Sequence, residues 1–265
     1  MTLAAALLLF GAGTAAGLLG GLFGIGGGVV VVPALYAVLT ALDVPEDARI
    51  KLAIGTSLAT IIVTSLRSLR AHARTGRVDA PLLRAWAPFI AVGAVLGAGL
   101  ARIAPPEGLT GFFALGIGLI GVQRLLGGGG GRPGAGLPTV PIQRTLAFGT
   151  GTLSSLMGIG GGVFGVLLLT RFGRTTHEAV ATAAGFGLAI AVPGALGFLL
   201  LGGGEGPWGT VGAVNLPAFV LVAAGSALTA PLGARLAHAV SASVLSRGFA
   251  AYLLVTAVLL LREAF

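Results

Sequence analysis

Apolar residues run through this chain in long stretches separated by short polar or glycine-rich segments. Plain apolar runs cover roughly 50–68, 82–102 and 109–126, and again roughly 178–202, 213–236 and 245–262. Most hold the ~20 residues that a helix needs to cross a bilayer core. Two further apolar segments, roughly 3–42 and 143–171, are interrupted by glycine clusters. As one straight helix the first would be ~60 Å long, twice the hydrocarbon thickness, so it must bend. The pattern predicts an all-α polytopic membrane protein.

The same order of segments occurs twice. Gly24-Ile25-Gly26-Gly27-Gly28-Val29 returns as Gly158-Ile159-Gly160-Gly161-Gly162-Val163. Ala53-Ile54-Gly55-Thr56-Ser57-Leu58 is echoed by Ala179-Val180-Ala181-Thr182-Ala183-Ala184, and Gly97–Ala101 by Gly233–Ala237. Internal repetition of this kind sets the architecture. The expected division is an N-terminal transmembrane repeat over 1–126, a Gly/Pro-rich linker over 127–141 and a C-terminal transmembrane repeat over 142–265.

The arginines choose between two topologies. If each broken segment crosses once, Lys and Arg divide 9 to 7 between the two sides and orient nothing. If each is a hairpin that enters and leaves on one side, Arg67, Arg70, Arg74, Arg77, Arg84, Arg124, Arg132, Arg144, Arg171, Arg174, Arg235 and Arg247 share a side. Arg49, Lys51, Arg102 and Arg262 take the other, a split of 12 to 4 that fits the positive-inside rule. The hairpin reading gives each half an odd number of crossings. It therefore predicts two inverted structural repeats, each a glycine-broken hairpin plus three transmembrane helices, with both termini outside.

Composition supports lipid as the solvent. Only 9% of residues are charged, 55% are apolar and mean hydropathy is +1.01. A soluble domain carries about a quarter charged residues. There is no cysteine, which excludes disulfides and thiolate metal sites. The net charge of +8 sits between apolar runs with almost no interleaved aromatics, so no nucleic-acid partner is expected. The Gly24-x-Gly26 cluster with Asp43 downstream superficially fits a dinucleotide fingerprint. Its flanks lack the alternating strands and helices of that fold. The N-terminal run lacks a basic leader, and its glycine pattern returns later, so it is expected to belong to the first broken segment.

The glycine clusters carry the candidate chemistry. A helix restarting after a break offers unpaired N–H groups and a partial positive charge, and residues 26–29 and 160–163 would do so from both halves. Two such ends facing each other would hold an anion without a charged side chain. Close helix packing through small residues is the competing reading, and it suffices for Gly11, Gly13, Gly17, Gly93 and Gly97. Thr56, Ser57 and Thr182 could donate to an oxyanion or simply bond back to their own helix; both readings stand. Ser154 and Ser155 precede the second break and could face the same cavity. Asn215 and Gln123 lie near span ends, where contact with solvent accounts for them. Arg67 and Arg70 could draw anions into a vestibule, although their role in topology explains them as well. All eight acids fall in loops or at span ends, so no buried carboxylate is available for a cation or proton relay. That leaves an anion or a neutral solute. No catalytic residues, metal or cofactor are expected.

The duplicated Gly-Ile-Gly-Gly-Gly hairpin, the Ala-Ile-Gly-Thr-Ser-Leu start of the next span and the Arg-rich stretch Arg67–Asp79 resemble the TauE/SafE sulfite exporter family, also called the toluene sulfonate uptake permeases. The resemblance covers nearly the whole chain. It implies a multi-pass transporter of the bacterial inner (cytoplasmic) membrane, acting on sulfite, an organosulfonate or a related sulfur-containing anion. By that resemblance Gly24, Gly26, Gly27, Gly28, Thr56 and Ser57 match the first motif. Gly158, Gly160, Gly161, Gly162 and Thr182 match the second, with Ala183 departing where Ser57 stands in the first. The implied partners are a small anionic substrate and the lipid bilayer, and a homodimer is one assembly such a chain could form. A passive channel for anions or small solutes is the alternative to a carrier.

Overall fold

The computed structural model describes residues 2–23, 27–74, 76–126, 136–201, 206–239 and 242–264. Ten helices are present among them. In chain order these are α1 (Leu3–Phe23), α2 (Gly28–Ala41), α3 (Glu46–Ala73), α4 (Ala80–Ile103) and α5 (Pro106–Leu125). There follow α6 (Val140–Leu156), α7 (Gly162–Arg171), α8 (Thr176–Leu201), α9 (Leu216–Ala239) and α10 (Ala242–Ala264). The only strands among the described residues are β1 (Thr210–Val211) and β2 (Val214–Asn215), paired antiparallel. The protein is all-α, as its sequence predicts. Seven helices (α1, α3, α4, α5, α8, α9 and α10) are long and apolar enough to cross a membrane. It is a multi-pass membrane protein.

The six plain runs become α3, α4, α5, α8, α9 and α10, and both broken segments are indeed broken. The helix over the expected run 50–68 is longer at both ends, and one start is displaced inward. The run expected to start near 213 begins as a helix only at Leu216, because Gly206-Pro207-Trp208-Gly209 and Gly212 favour turns and the short β1–β2 ribbon instead. Of the linker, residues 127–135 lie outside the described residues, and α6 starts at Val140.

The helices are built inside out. On α4 the buried face carries Trp86, Ile90, Gly93, Ala94, Gly97, Ala98 and Ala101, while Val92, Val95, Leu96, Leu100 and Ile103 are exposed. Lipid solvates large aliphatic side chains as well as a protein core does. Helix association then favours small residues that let backbones approach. Gly93 and Gly97 pack against the α6 backbone at Phe148 and Thr152, and Gly13, Gly17 and Gly21 pack against α9 at Val222, Ser226 and Ala230. Gly11, also expected to pack, faces open space.

These contacts fix the helix senses. Gly13 meets Val222 and Gly21 meets Ala230, so α1 runs parallel to α9; Gly93 meets Phe148 and Gly97 meets Thr152, so α4 runs parallel to α6. Ser65 lies against Gly187 and Leu58 against Gly194, so α3 and α8 are antiparallel. Gly118 meets Ala257 and Gly121 meets Leu253, so α5 and α10 are antiparallel too. The start of α9 sits beside Thr56, and Ser226–Pro231 share a cavity wall with the second half of α3, giving α9 the sense of α3. Since α1 follows α9, α1 and α3 point the same way, and α2 returns between them.

Candidate functional site

Each broken segment ends a helix and restarts one in the interior. The second break is visible in full. The Ile159 N–H donates to the Ser154 carbonyl at 2.9 Å and the Gly158 N–H to the Ser155 carbonyl at 3.2 Å, closing α6 with a Schellman motif. Gly158 takes the left-handed position, with φ +62°, that this motif requires. Three residues later Gly161 caps α7; a glycine brings no side chain to cap the first amides of that helix. At the first break Gly27, with φ +72°, caps α2, again with no side-chain cap. Gly24 and Gly26 lie outside the described residues.

The two breaks touch. A Cβ placed on Gly28 would lie 3.1 Å from the Gly158 carbonyl oxygen and 3.1 Å from the Gly160 nitrogen, so the start of α2 abuts the second break backbone to backbone. The Ser57 hydroxyl donates to the Gly158 carbonyl at 2.9 Å and ties α3 into the same junction.

Two neighbouring cavities open on this junction. A small one, about 60 Å³, is lined by Gly160, Gly161 and Gly162 together with Thr64, Ser65 and Ser68 of α3. A larger one, about 410 Å³, is lined by Gly20, Gly21, Gly27 and Gly28, by Thr60, Thr64 and Ser68, and by the α9 residues Ser226, Ala227 and Ala230. Arg67 and His72 stand on its wall toward the end of α3. The two cavities share Thr64, Ser68 and Val180.

A third cavity, about 330 Å³, lies at the opposite end of α3, between Asp47, Lys51, Leu52, Arg102, Phe198 and Ala213. There the Lys51 ammonium donates to the Arg102 carbonyl at 3.1 Å. From Leu52 to Thr60, ~12 Å along α3, the buried residues Ala53, Ile54, Thr56, Ser57 and Leu58 separate this cavity from the other two.

A family model for the sulfite exporter TauE/SafE matches residues 9–260. The chain belongs to the TauE/SafE family. It is 33% identical over 256 residues to a protein of Haemophilus influenzae named "Probable membrane transporter protein", covering 95% of this chain and 96% of that one. A Bacillus subtilis protein with a similar name is 29% identical over 168 residues, 57% of this chain and 62% of its own. A third, from Methanocaldococcus jannaschii, is 34% identical over 88 residues, 33% of this chain and 30% of its own. No solved structure matches. This TauE/SafE protein is thus a member of a family of membrane transporters.

The residues singled out in the sequence divide into groups within this TauE/SafE chain. Gly27 and Gly28 line the larger cavity, and Gly160, Gly161 and Gly162 the small one. Gly158 and Ser57 form the junction between the breaks and line none of the three cavities. Thr56 and Thr182 lie elsewhere. The Asn215 N–H donates to the Thr56 hydroxyl at 3.0 Å, and the Asp79 N–H donates to the Thr182 hydroxyl, also at 3.0 Å. Each acceptor therefore holds the residue that opens α9 or α4. Asn215 in turn accepts from the Ala218 N–H at 2.8 Å, and Asp79 from the Leu82 N–H at 3.1 Å. Asp79 also pairs with Arg174 at 2.6 Å. Asn215 is buried rather than solvated: it caps α9 and pins the ribbon through the Trp208 carbonyl and the Thr210 hydroxyl.

Ser154 and Ser155 are fully buried, their hydroxyls have no partner among the described residues, and Ser155 packs against Gly97 and Gly194. Sequence reading missed Thr60, Thr64, Ser65 and Ser68. Their signal was present: Thr56, Thr60, Thr64 and Ser68 recur every four residues, which places them on one face of a helix.

Proposed function

We propose that the chain is a secondary carrier for a small sulfur-containing anion, such as sulfite or an organosulfonate, held where the two glycine breaks meet. The observation that carries this reading is the contact of Gly28 with Gly158 and Gly160, at the inner end of two cavities. Helix starts without side-chain caps present main-chain N–H groups and the positive end of the helix dipole. They can hold an anion with no ionised partner. Among the described residues no acid lies within a helix interior: Glu46, Asp47, Glu107 and Glu178 sit in first turns, Asp79 is a cap, Asp43 is in a turn and Glu263 is at the end of α10. A dipole-held anion needs none.

The helix senses support inverted repeats. The parallel contact of α1 with α9 has its counterpart in that of α6 with α4, and the antiparallel pairs α3–α8 and α5–α10 exchange with themselves. Since α3 and α8 point oppositely, the second five helices repeat the first five upside down, with a hairpin at the head of each. The senses gather Arg67, Arg70, Arg74, Arg77, Arg84, Arg124, Arg144, Arg171, Arg174, Arg235 and Arg247 at one end, and leave Arg49, Lys51, Arg102 and Arg262 at the other. In the bacterial cytoplasmic membrane the first end would face the cytoplasm. Both termini would then lie outside. The larger cavity is the cytoplasmic vestibule in this reading, and the Lys51–Arg102 cavity the external one.

The buried layer of α3 between those cavities favours a carrier over a passive channel, because a pore must be continuous. Counterflow in proteoliposomes tests the reading. Unlabelled sulfite or sulfonate on the far side accelerates entry of the labelled anion through a carrier. Flux unaffected by trans substrate indicates a channel, and no flux for any anion of the panel removes the reading.

A further inference from the structure

We infer that the two breaks do different work: the second seats the anionic head group, with Ser65 and Ser68 as its side-chain donors, and the cavity at the first receives an apolar substituent. The inference rests on the carrier reading and assigns roles within that site.

Size makes the first argument. A single water needs about 10–15 Å³ of such space, so a pocket of about 60 Å³ takes one compact oxyanion group and little else. The neighbouring 410 Å³ falls in the range of pockets for small organic ligands. The two communicate past Thr64 and Ser68, so one molecule can occupy both.

Polarity makes the second. The small pocket is walled by the start of α7 and three hydroxyl side chains of α3, with Val166, Val180, Ala183 and Ala184 completing it. Ser65 is only 9% exposed, lines that pocket and has no hydrogen-bond partner among the described residues. Its hydroxyl opens to the pocket, unlike the sealed hydroxyls of Ser154 and Ser155, and is free to bond a guest there. The side chains that α2 and α9 bring to the larger cavity are Val31, Ala227, Ala230 and Pro231 with Ser226, whose hydroxyl already donates to the Gly13 carbonyl, and the charged Arg67 stands apart toward the end of α3.

The third argument is asymmetry. With Ala53 aligned on Ala179, the second-half counterparts of Thr64, Ser65 and Ser68 are Ile190, Ala191 and Gly194. Only one copy of the repeat carries the hydroxyl row, so only one end of the junction is equipped for a head group with several oxygens.

The test measures affinity of the full-length protein in detergent for sulfite, methanesulfonate and benzenesulfonate, with thermal melting of each variant as the control for folding. Benzenesulfonate is expected to bind more tightly than sulfite. Ser65→Ala and Ser68→Ala should each weaken all three anions by about tenfold, the loss of one hydrogen bond to a charged group. Ala227→Leu, which fills the substituent wall, should lower the ratio of benzenesulfonate to methanesulfonate affinity by about tenfold. Sulfite binding more tightly than benzenesulfonate, serine variants that bind like the parent, or an Ala227→Leu variant with an unchanged ratio would each overturn the division. A parent protein that binds none of the three overturns the carrier reading itself.

Discussion

The hydroxyl of Thr56 accepts a hydrogen bond from the N–H of Asn215, 3.0 Å away and 159 residues along the chain. Its counterpart Thr182 accepts from the Asp79 N–H at the same distance. Asn215 and Asp79 both cap the helix they open, through a side-chain oxygen bonded three residues ahead. A threonine of each half thus fixes the entry of the fourth helix of the other. These links lie toward opposite ends of the path, one near the Lys51–Arg102 cavity and one near Arg174.

The paired links each predict a loss of stability. Thr56→Val keeps the volume but leaves a buried N–H unpaired, at a cost of about 1–3 kcal/mol. Thr182→Val does the same at the half-buried Asp79 N–H, with a loss toward the lower end of that range. Both variants should melt several degrees below the parent, by roughly 2–4 °C per kcal/mol, while anion affinity changes little. Thermal melting with and without ligand checks this; a variant of unchanged stability with abolished binding would instead place that threonine at the anion.

Gly158 allows no side chain. Its φ of +62° is costly for any L-residue, and a Cβ there would lie 2.9 Å from both the Ile54 Cα and the Val32 side chain. Gly158→Ala should therefore lower stability by at least ~1–2 kcal/mol and shift the Ser57 contact. Gly149, whose Cβ position is open, serves as the control, and Gly149→Ala should melt like the parent.

Much of this architecture is legible in the sequence because bilayer physics is simple. Runs such as 82–102 have the length and polarity of a span, and α4 forms there. Glycine clusters mark breaks because nothing else lets a backbone turn so tightly in that setting. The functional detail was harder to see. Thr56 and Ser57 stand out beside a glycine motif, yet their oxygens bind backbone groups at Asn215 and Gly158. The residues that reach the cavities, Thr64, Ser65 and Ser68, lie about two to three turns further on, in a stretch whose arginines draw attention to topology. The burial of Asn215 depends on a ribbon that folds back between α3 and α8, a tertiary contact with no local pattern.

Arg67 is exposed on the wall of the larger cavity and should act at a distance. Arg67→Gln is expected to lower the uptake rate at low ionic strength by a few-fold and to flatten its salt dependence, leaving the affinity of the bound anion nearly unchanged. Initial rates across a salt series check this; a large loss of affinity at all salt concentrations would put Arg67 in direct contact with the anion.

The central claim is that main-chain amides at the breaks hold the anion, and anomalous scattering from crystals soaked with selenite, a heavier analogue of sulfite, tests it most directly. The account predicts a selenium peak in the small cavity, within hydrogen-bonding reach of the Gly160–Gly162 amides and the Ser65 hydroxyl. A peak confined to Arg67 or to the Lys51–Arg102 cavity, with the junction empty, would contradict it.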